Sequence, residues 1–206
     1  MRDLIRVSLT VFSLLLLLGC ALGRPGESVR VVAPELPAPP PKDKRSGEWV
    51  LSVTRPKTDR TRDSDRIIVR RHRALMPLAG VVWLDRAPDM LQALLVDYLA
   101  ANGAFVAVGR YGDLPAPYRL DLDIRRFEIR VEAGQAPVAE LQLTARLTAT
   151  GRGLVAVNRF ERQADSAGDD PAQMLAAFES VLAAAFAELA GWVSVALHED
   201  SVAPNN

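Results

Sequence analysis

One cysteine and two histidines in 206 residues leave little from which to build a metal centre or a disulfide framework. A lone Cys20 forms no intramolecular bridge, paired-cysteine zinc sites are excluded, and His72 and His198 stand too far apart in the chain to begin a multi-histidine centre. Excess charge is missing too: 25 Lys+Arg balance 25 Asp+Glu. A protein held on nucleic acid by phosphate neutralisation would carry a basic surplus, so that class is excluded. Nor does the chain contain a Gly-x-Ser-x-Gly elbow, a His-Glu-x-x-His motif or a Gly-x-x-x-x-Gly-Lys loop. It therefore supplies no recognisable hydrolase, metalloprotease or nucleotide-phosphate site.

What is present begins with export. Arg2 and Arg6 form a cationic start, and Val7 to Leu18 is an uncharged, mostly apolar run too short to span a bilayer with flanks. It ends in Leu17-Leu18-Gly19-Cys20, which resembles a bacterial lipobox. Residues 1–19 are thus expected to be a signal peptide, with Cys20 carrying a diacylglycerol thioether and an N-acyl chain such as palmitate. No other cofactor is expected. Acyl chains at roughly 0.8 kcal/mol per buried CH₂ make such an anchor permanent. Ala21-Leu22 follow the cysteine where bacterial sorting for inner-membrane retention uses Asp, so the periplasmic face of the outer membrane is the expected location.

Residues 20–47 hold six prolines, including Pro37, Pro39, Pro40 and Pro41, then Lys42-Asp43-Lys44-Arg45. This composition predicts an extended linker outside the fold, reaching up to about 80 Å at ~3.1 Å per residue. The mature chain has a formal charge of −1, which gives no reason for binding anionic lipid by net charge. One domain is expected over 48–198, followed by a tail at 199–206.

Within the domain, alternation predicts strands at Trp49–Val53 and Arg66–Arg70, with another at Gly80–Trp83. Pro88 near a first helical turn, the stripe Leu91, Leu94, Leu95, Tyr98 and Leu99, and the stop at Asn102-Gly103 predict a helix. A strand at Phe105–Val108 follows. After Pro117 an antiparallel three-stranded meander is expected. Its first strand has apolar residues at even positions to Ile124 and at odd positions from Phe127, so the phase change at Arg125-Arg126 predicts a β-bulge. Gly151-Arg152-Gly153 is the turn into Leu154–Phe160. Asp169-Asp170-Pro171 starts a second helix running to about Leu197.

Asp63-Ser64-Asp65-Arg66-Ile67-Ile68-Val69, Trp83-Leu84-Asp85 with Pro88 to Gln92, Leu120 to Glu128, Asn158-Arg159-Phe160 and Ala177-Phe178 through Gly191-Trp192-Val193 occur in an order that resembles the ABC-type transport auxiliary lipoproteins. The resemblance spans about Trp49 to Val193 and includes the lipobox; the long proline-rich linker departs from it. It implies an α+β fold, a two-layer α/β sandwich with two main helices packed on a mostly antiparallel sheet. It also implies a non-enzymatic periplasmic subunit that works with an MCE-domain protein and an ABC permease and ATPase, moving phospholipids or other apolar molecules between membranes. A homo-oligomer is left open, because no heptad seam specifies one.

Several residues are candidate partner contacts. Asp63, Asp65 and Arg66 either cap a turn or present charge to a partner. Trp83 and Phe127 either fill the core or dock, and Glu128 either pairs with an arginine or reaches outward. The second helix is long enough to overshoot the sheet, leaving its far end with Trp192 for a partner. Asp121 and Asp123 are read as polar positions on an amphipathic strand, beside Arg119 and Arg125, ahead of any catalytic carboxylate pair. The competing reading is a tethered outer-membrane lipoprotein that regulates cell-wall enzymes.

Overall fold

The computed structural model describes residues 28–39 and 49–202. The expected signal peptide, Cys20 and most of the expected linker lie outside the described residues. Eight strands and two helices follow one another among those described: β1 (Arg30–Val32), β2 (Val50–Val53), β3 (Arg66–Arg71), β4 (Ala74–Trp83), α1 (Ala87–Ala101), β5 (Ala107–Arg110), β6 (Tyr118–Val131), β7 (Val138–Ala149), β8 (Gly153–Asp165) and α2 (Pro171–Val202).

The organising element is β6, a 14-residue strand. One of its edges pairs along its length with antiparallel β7, which pairs in turn with antiparallel β8. The other edge is shared. β2 lies parallel to its first third, Leu51 opposite Tyr118, and β3 lies parallel to its last third, Val69 opposite Ile129. An isolated parallel bridge between Lys57 and Asp123 joins the two stretches, so the chain from Val50 to Arg71 follows β6 in the same direction. β5 adds to β2 in parallel, β4 to β3 antiparallel, and β1 to β4 in parallel.

The fold is thus α+β with two helices, as expected, but the sheet is mixed rather than mostly antiparallel, and it curls into a half-barrel. Alternation records which face a side chain occupies and carries no information about strand direction. The meander was legible because short turns enforce antiparallel neighbours, and the parallel pairs bring together segments far apart in sequence.

The expected bulge is present: the β6–β7 register shifts between Ile124 and Arg126. It keeps both Ile124 and Phe127 in the core despite their opposite parity. A second shift, between Arg66 and Ile68 against β4, is taken up where Gly80 adopts φ +70°, a conformation that disfavours a side chain.

One apolar core joins the sheet to both helices. α1 starts after Arg86 with Pro88 in its first turn and ends at Asn102, as predicted, and buries Leu91, Leu95, Tyr98 and Leu99. α2 starts after Asp170, whose Oδ1 accepts the Ala172 N–H at 3.4 Å. It continues past the expected end at Leu197 to Val202, so His198 lies within the helix and part of the expected tail is helical. The helix is long and apolar enough by composition to cross a membrane. Here its apolar side, from Met174 through Leu197, packs into the core.

The linker also needs correcting. Arg30–Val32 forms β1, with Val31 opposite Val82 and the Val32 carbonyl accepting the Leu84 N–H at 2.8 Å. Beyond it the Glu35 N–H donates to Glu179 Oε1 at 2.9 Å, Pro34 and Pro39 are buried, and Leu36 packs against the core. Prolines offer no N–H for a sheet but do offer apolar rings, and this segment lies across the helices.

Candidate functional site

The turn predicted at Asp63–Arg66 belongs to a folded excursion between the Lys57 bridge and β3. Asp59 builds it, its Oδ1 accepting the N–H groups of Thr61 at 2.9 Å and Arg62 at 3.2 Å. The Ala87 N–H then donates to the Ser64 carbonyl at 2.9 Å and the Trp83 N–H to the Asp65 carbonyl at 2.7 Å, fixing the excursion against the start of α1.

Arg55 locks the same junction. Its Nε and Nη2 grip both oxygens of Asp89 at 2.6 and 2.8 Å, and Nη2 also reaches Asp63 Oδ1 at 2.7 Å. Arg86 donates Nε to the same Asp63 oxygen at 3.0 Å and also bonds the Asp63 carbonyl. Hydrogen bonds from Arg55 and then Arg86 hold the Asp63 carboxyl well below its usual range, at about 2. Arg55 lowers Asp89 as well, and Asp89 sits in the first helical turn, where an anion suits the dipole. Carboxylates so saturated by arginine are poor proton acceptors near neutrality, so this cluster presents charge and shape rather than acid–base chemistry.

Beside it opens a cleft of about 490 Å³. Thr61, Ser64, Asp65 and Arg66 form its polar wall; Ile68, Leu75, Met76 and Pro77 form its apolar wall. Leu75 and Met76 are exposed, and neither Asp65 nor Arg66 takes part in an ion pair among the described residues.

The other expected contacts fall elsewhere. Trp83 stacks on Phe127 with centroids 5.5 Å apart and meets Phe178 edge-on at 5.1 Å, while Phe127 and Phe178 lie 4.8 Å apart. Trp83 and Phe127 are therefore interior residues that offer a partner no surface. Glu128 is also interior, paired with Arg62 and, at 2.6 Å, with Arg70. These three are corrected from contacts to core, because their strands run beneath α2 or behind the excursion. Trp192 rests edge-on against Phe160 at 5.7 Å, far along α2 and apart from the Asp63 cluster. Asp121 and Asp123 pair with Arg119 and Arg125, as read from the sequence. His72 is exposed at the tip of the β3–β4 hairpin with φ 54°.

Sequence reasoning missed Arg55, Arg86 and Asp89 as one unit. The signal available was an arginine on each flank of an Asp-rich turn. No group of three or more His, Cys, Asp or Glu side chains suited to a metal occurs among the described residues.

Comparison with known proteins gives this surface a context. The fold is similar to the crystal structure of protein XCC0632 from Xanthomonas campestris, with TM-score 0.79 and 31% identity, covering 85% of this chain and 100% of that one. It also resembles the crystal structure of an uncharacterized protein at TM-score 0.62, where 13% identity speaks to fold alone; 83% of this chain and 99% of that one are covered. In sequence, 120 residues are 34% identical to the uncharacterized protein bll6063 of Bradyrhizobium diazoefficiens, covering 58% of this chain; the chain spans about a third of that relative, 32%. Residues 32–190, from β1 into α2, match the family described as ABC-type transport auxiliary lipoprotein component, and the chain belongs to that family.

Proposed function

We propose that this lipoprotein is a non-enzymatic periplasmic subunit of an MCE-type ABC transport system. Anchored through acylated Cys20 at the periplasmic face of the outer membrane, it assists the movement of phospholipids or other apolar molecules between the two membranes. Membership of the auxiliary lipoprotein family over residues 32–190 carries the reading. The arginine-saturated carboxylates at Asp63 and Asp89 agree with it, because they favour recognition over proton transfer. The polar wall of the cleft beside them, where Asp65 and Arg66 join no ion pair among the described residues, is the docking surface we assign to the MCE-domain protein.

In-cell crosslinking of the full-length lipoprotein tests this, with photoreactive side chains at Arg66 and, as control, at Thr150. Recovery of an MCE-domain protein with its permease from Arg66 alone is the expected result. Recovery of wall synthases instead would establish the cell-wall regulator.

A further inference from the structure

The β3–β4 hairpin does something the rest of the sheet does not: every residue from Arg71 to Pro77 is exposed, although the two strands stay paired down to Arg71 and Ala74. β3 stays paired with β6 as far as Arg71 and buries Ile68 and Val69, so the open part is the turn together with the β4 side, an exposed edge from Ala74 to Pro77. The hairpin tip is Arg71-His72-Arg73, followed by Leu75 and Met76, and neither Arg71 nor Arg73 joins an ion pair among the described residues.

The N-terminal attachment fixes where this tip points. β1 is parallel to β4, and β4 starts at the hairpin tip, so the chain preceding Arg30 leaves the sheet in the direction of that tip. Arg30 stands ten positions after Cys20, a span of at most about 35 Å fully extended. Arg66 lies opposite Val82, beside the start of β1, and β3 runs from there to Arg71 in about 17 Å of strand. The tip therefore lies roughly 20 Å beyond Arg30 toward the anchor, leaving about 15 Å of slack. The expected reach of about 80 Å does not survive the pairing of β1.

We infer that the β3–β4 hairpin tip rests on the anionic phospholipid leaflet that holds the anchor, with Arg71 and Arg73 at the headgroups and Leu75 and Met76 beside them. This rests on the Cys20 anchoring proposed above. A formal charge of −1 over the mature chain does not oppose it, because a leaflet senses charge within about 10 Å. Asp170, on the leash side, lines a hollow with Ser28 and Gly80, partway up the hairpin from the tip.

Acylation consumes the Cys20 thiol, so a cysteine introduced into the full lipoprotein is its one free thiol. We would place an environment-sensitive fluorophore at Leu75→Cys and, at the opposite end of the sheet, at Thr150→Cys. Each protein is reconstituted into phosphatidylcholine vesicles with or without phosphatidylglycerol and with headgroup-level quencher lipids. The expected result is strong quenching at position 75 with phosphatidylglycerol and little at position 150. Arg71→Gln with Arg73→Gln should reduce the contact on the order of thirtyfold, from ~1 kcal/mol per arginine near an anionic leaflet. Protein that floats with the vesicles but is quenched equally at both ends, or equally without phosphatidylglycerol, overturns the inference and spares the anchor. Protein that does not float overturns both.

Discussion

Glu128 on β6 and Glu140 on β7 stand directly opposite each other across the ladder, and both carboxylates are buried. Like charges in that position repel. Arg70 resolves the conflict by donating Nε to Glu128 at 2.6 Å and Nη2 to Glu140 at 2.7 Å. Arg62 completes Glu128, and Arg130 completes Glu140 at 2.6 Å. The network ties the excursion, β3, β6 and β7 together on the sheet face opposite Ile129 and Leu141.

Arg70→Met should therefore cost about 3–5 kcal/mol, because it leaves two facing carboxylates short of a partner inside the protein. Urea unfolding near neutral pH measures this. Replacing Glu128, Glu140 and Arg70 together with apolar residues of similar size should cost much less. A loss below about 1 kcal/mol for Arg70→Met would show that water already screens the pair.

Acid should weaken the fold through depressed carboxylates. Burial pushes Glu140 up, but hydrogen bonds from Arg130 and Arg70 outweigh it and hold the group below its ordinary value. Asp63 falls from 3.8 to about 2. Groups depressed in the folded state contribute fully above their unfolded values and lose that contribution as the pH falls through the folded ones. Stability should thus decline from about pH 4.5 downward, and Asp63→Asn should flatten the part between about pH 4 and 2. Urea midpoints across that range test it; an unchanged profile in Asp63→Asn would assign the loss to other groups.

Trp83→Ala opens the aromatic cluster with Phe127 and Phe178 and should cost about 3–5 kcal/mol. For a domain of this size that lowers Tm by roughly 10 °C. Thermal melts followed by near-ultraviolet circular dichroism would register it. A variant that melts normally yet loses its partner would return Trp83 to the list of contacts.

Gly191 lies in the middle of α2, and a methyl group there would meet no neighbouring atom within 4 Å. Gly191→Ala should stabilise the protein by about 0.5–1 kcal/mol, since alanine loses less backbone entropy in a helix. A lower urea midpoint would mean that a partner or a tighter packing needs the bare backbone.

Local signals were the legible ones. Asn102-Gly103, Asp170-Pro171 and the parity change at Arg125-Arg126 act within a few residues, and each fell where expected. β5 fell two residues later than its apolar run suggested, at Ala107–Arg110. β4 was underestimated because Pro77 interrupts it, and a proline argues against a strand unless it lies on an exposed edge, as here. β1 was hidden because Val31 and Val32 make only a three-residue element inside proline-rich sequence. The buried network was illegible for another reason: Arg62 and Arg70 reach Glu128 across 66 and 58 residues. Cross-strand distance of that kind has no period to read. The Asp63 turn was visible as charge, whereas its clamp by Arg55 and Arg86 required the fold.

The divided edge of β6 also sets an order of events. β2 pairs with β5 and β6, both more than 50 residues downstream, and has no earlier partner among the described residues. A nascent or translocating polypeptide that has delivered residues up to Pro117 holds β2 and the inner edge of β3 without the strand they share. Non-local pairing of this kind slows folding and leaves unpaired edges open to wrong partners. The interval before Tyr118–Val131 arrives is when this chain most needs a holding chaperone, and insertions that lengthen it should raise aggregation without altering the finished structure.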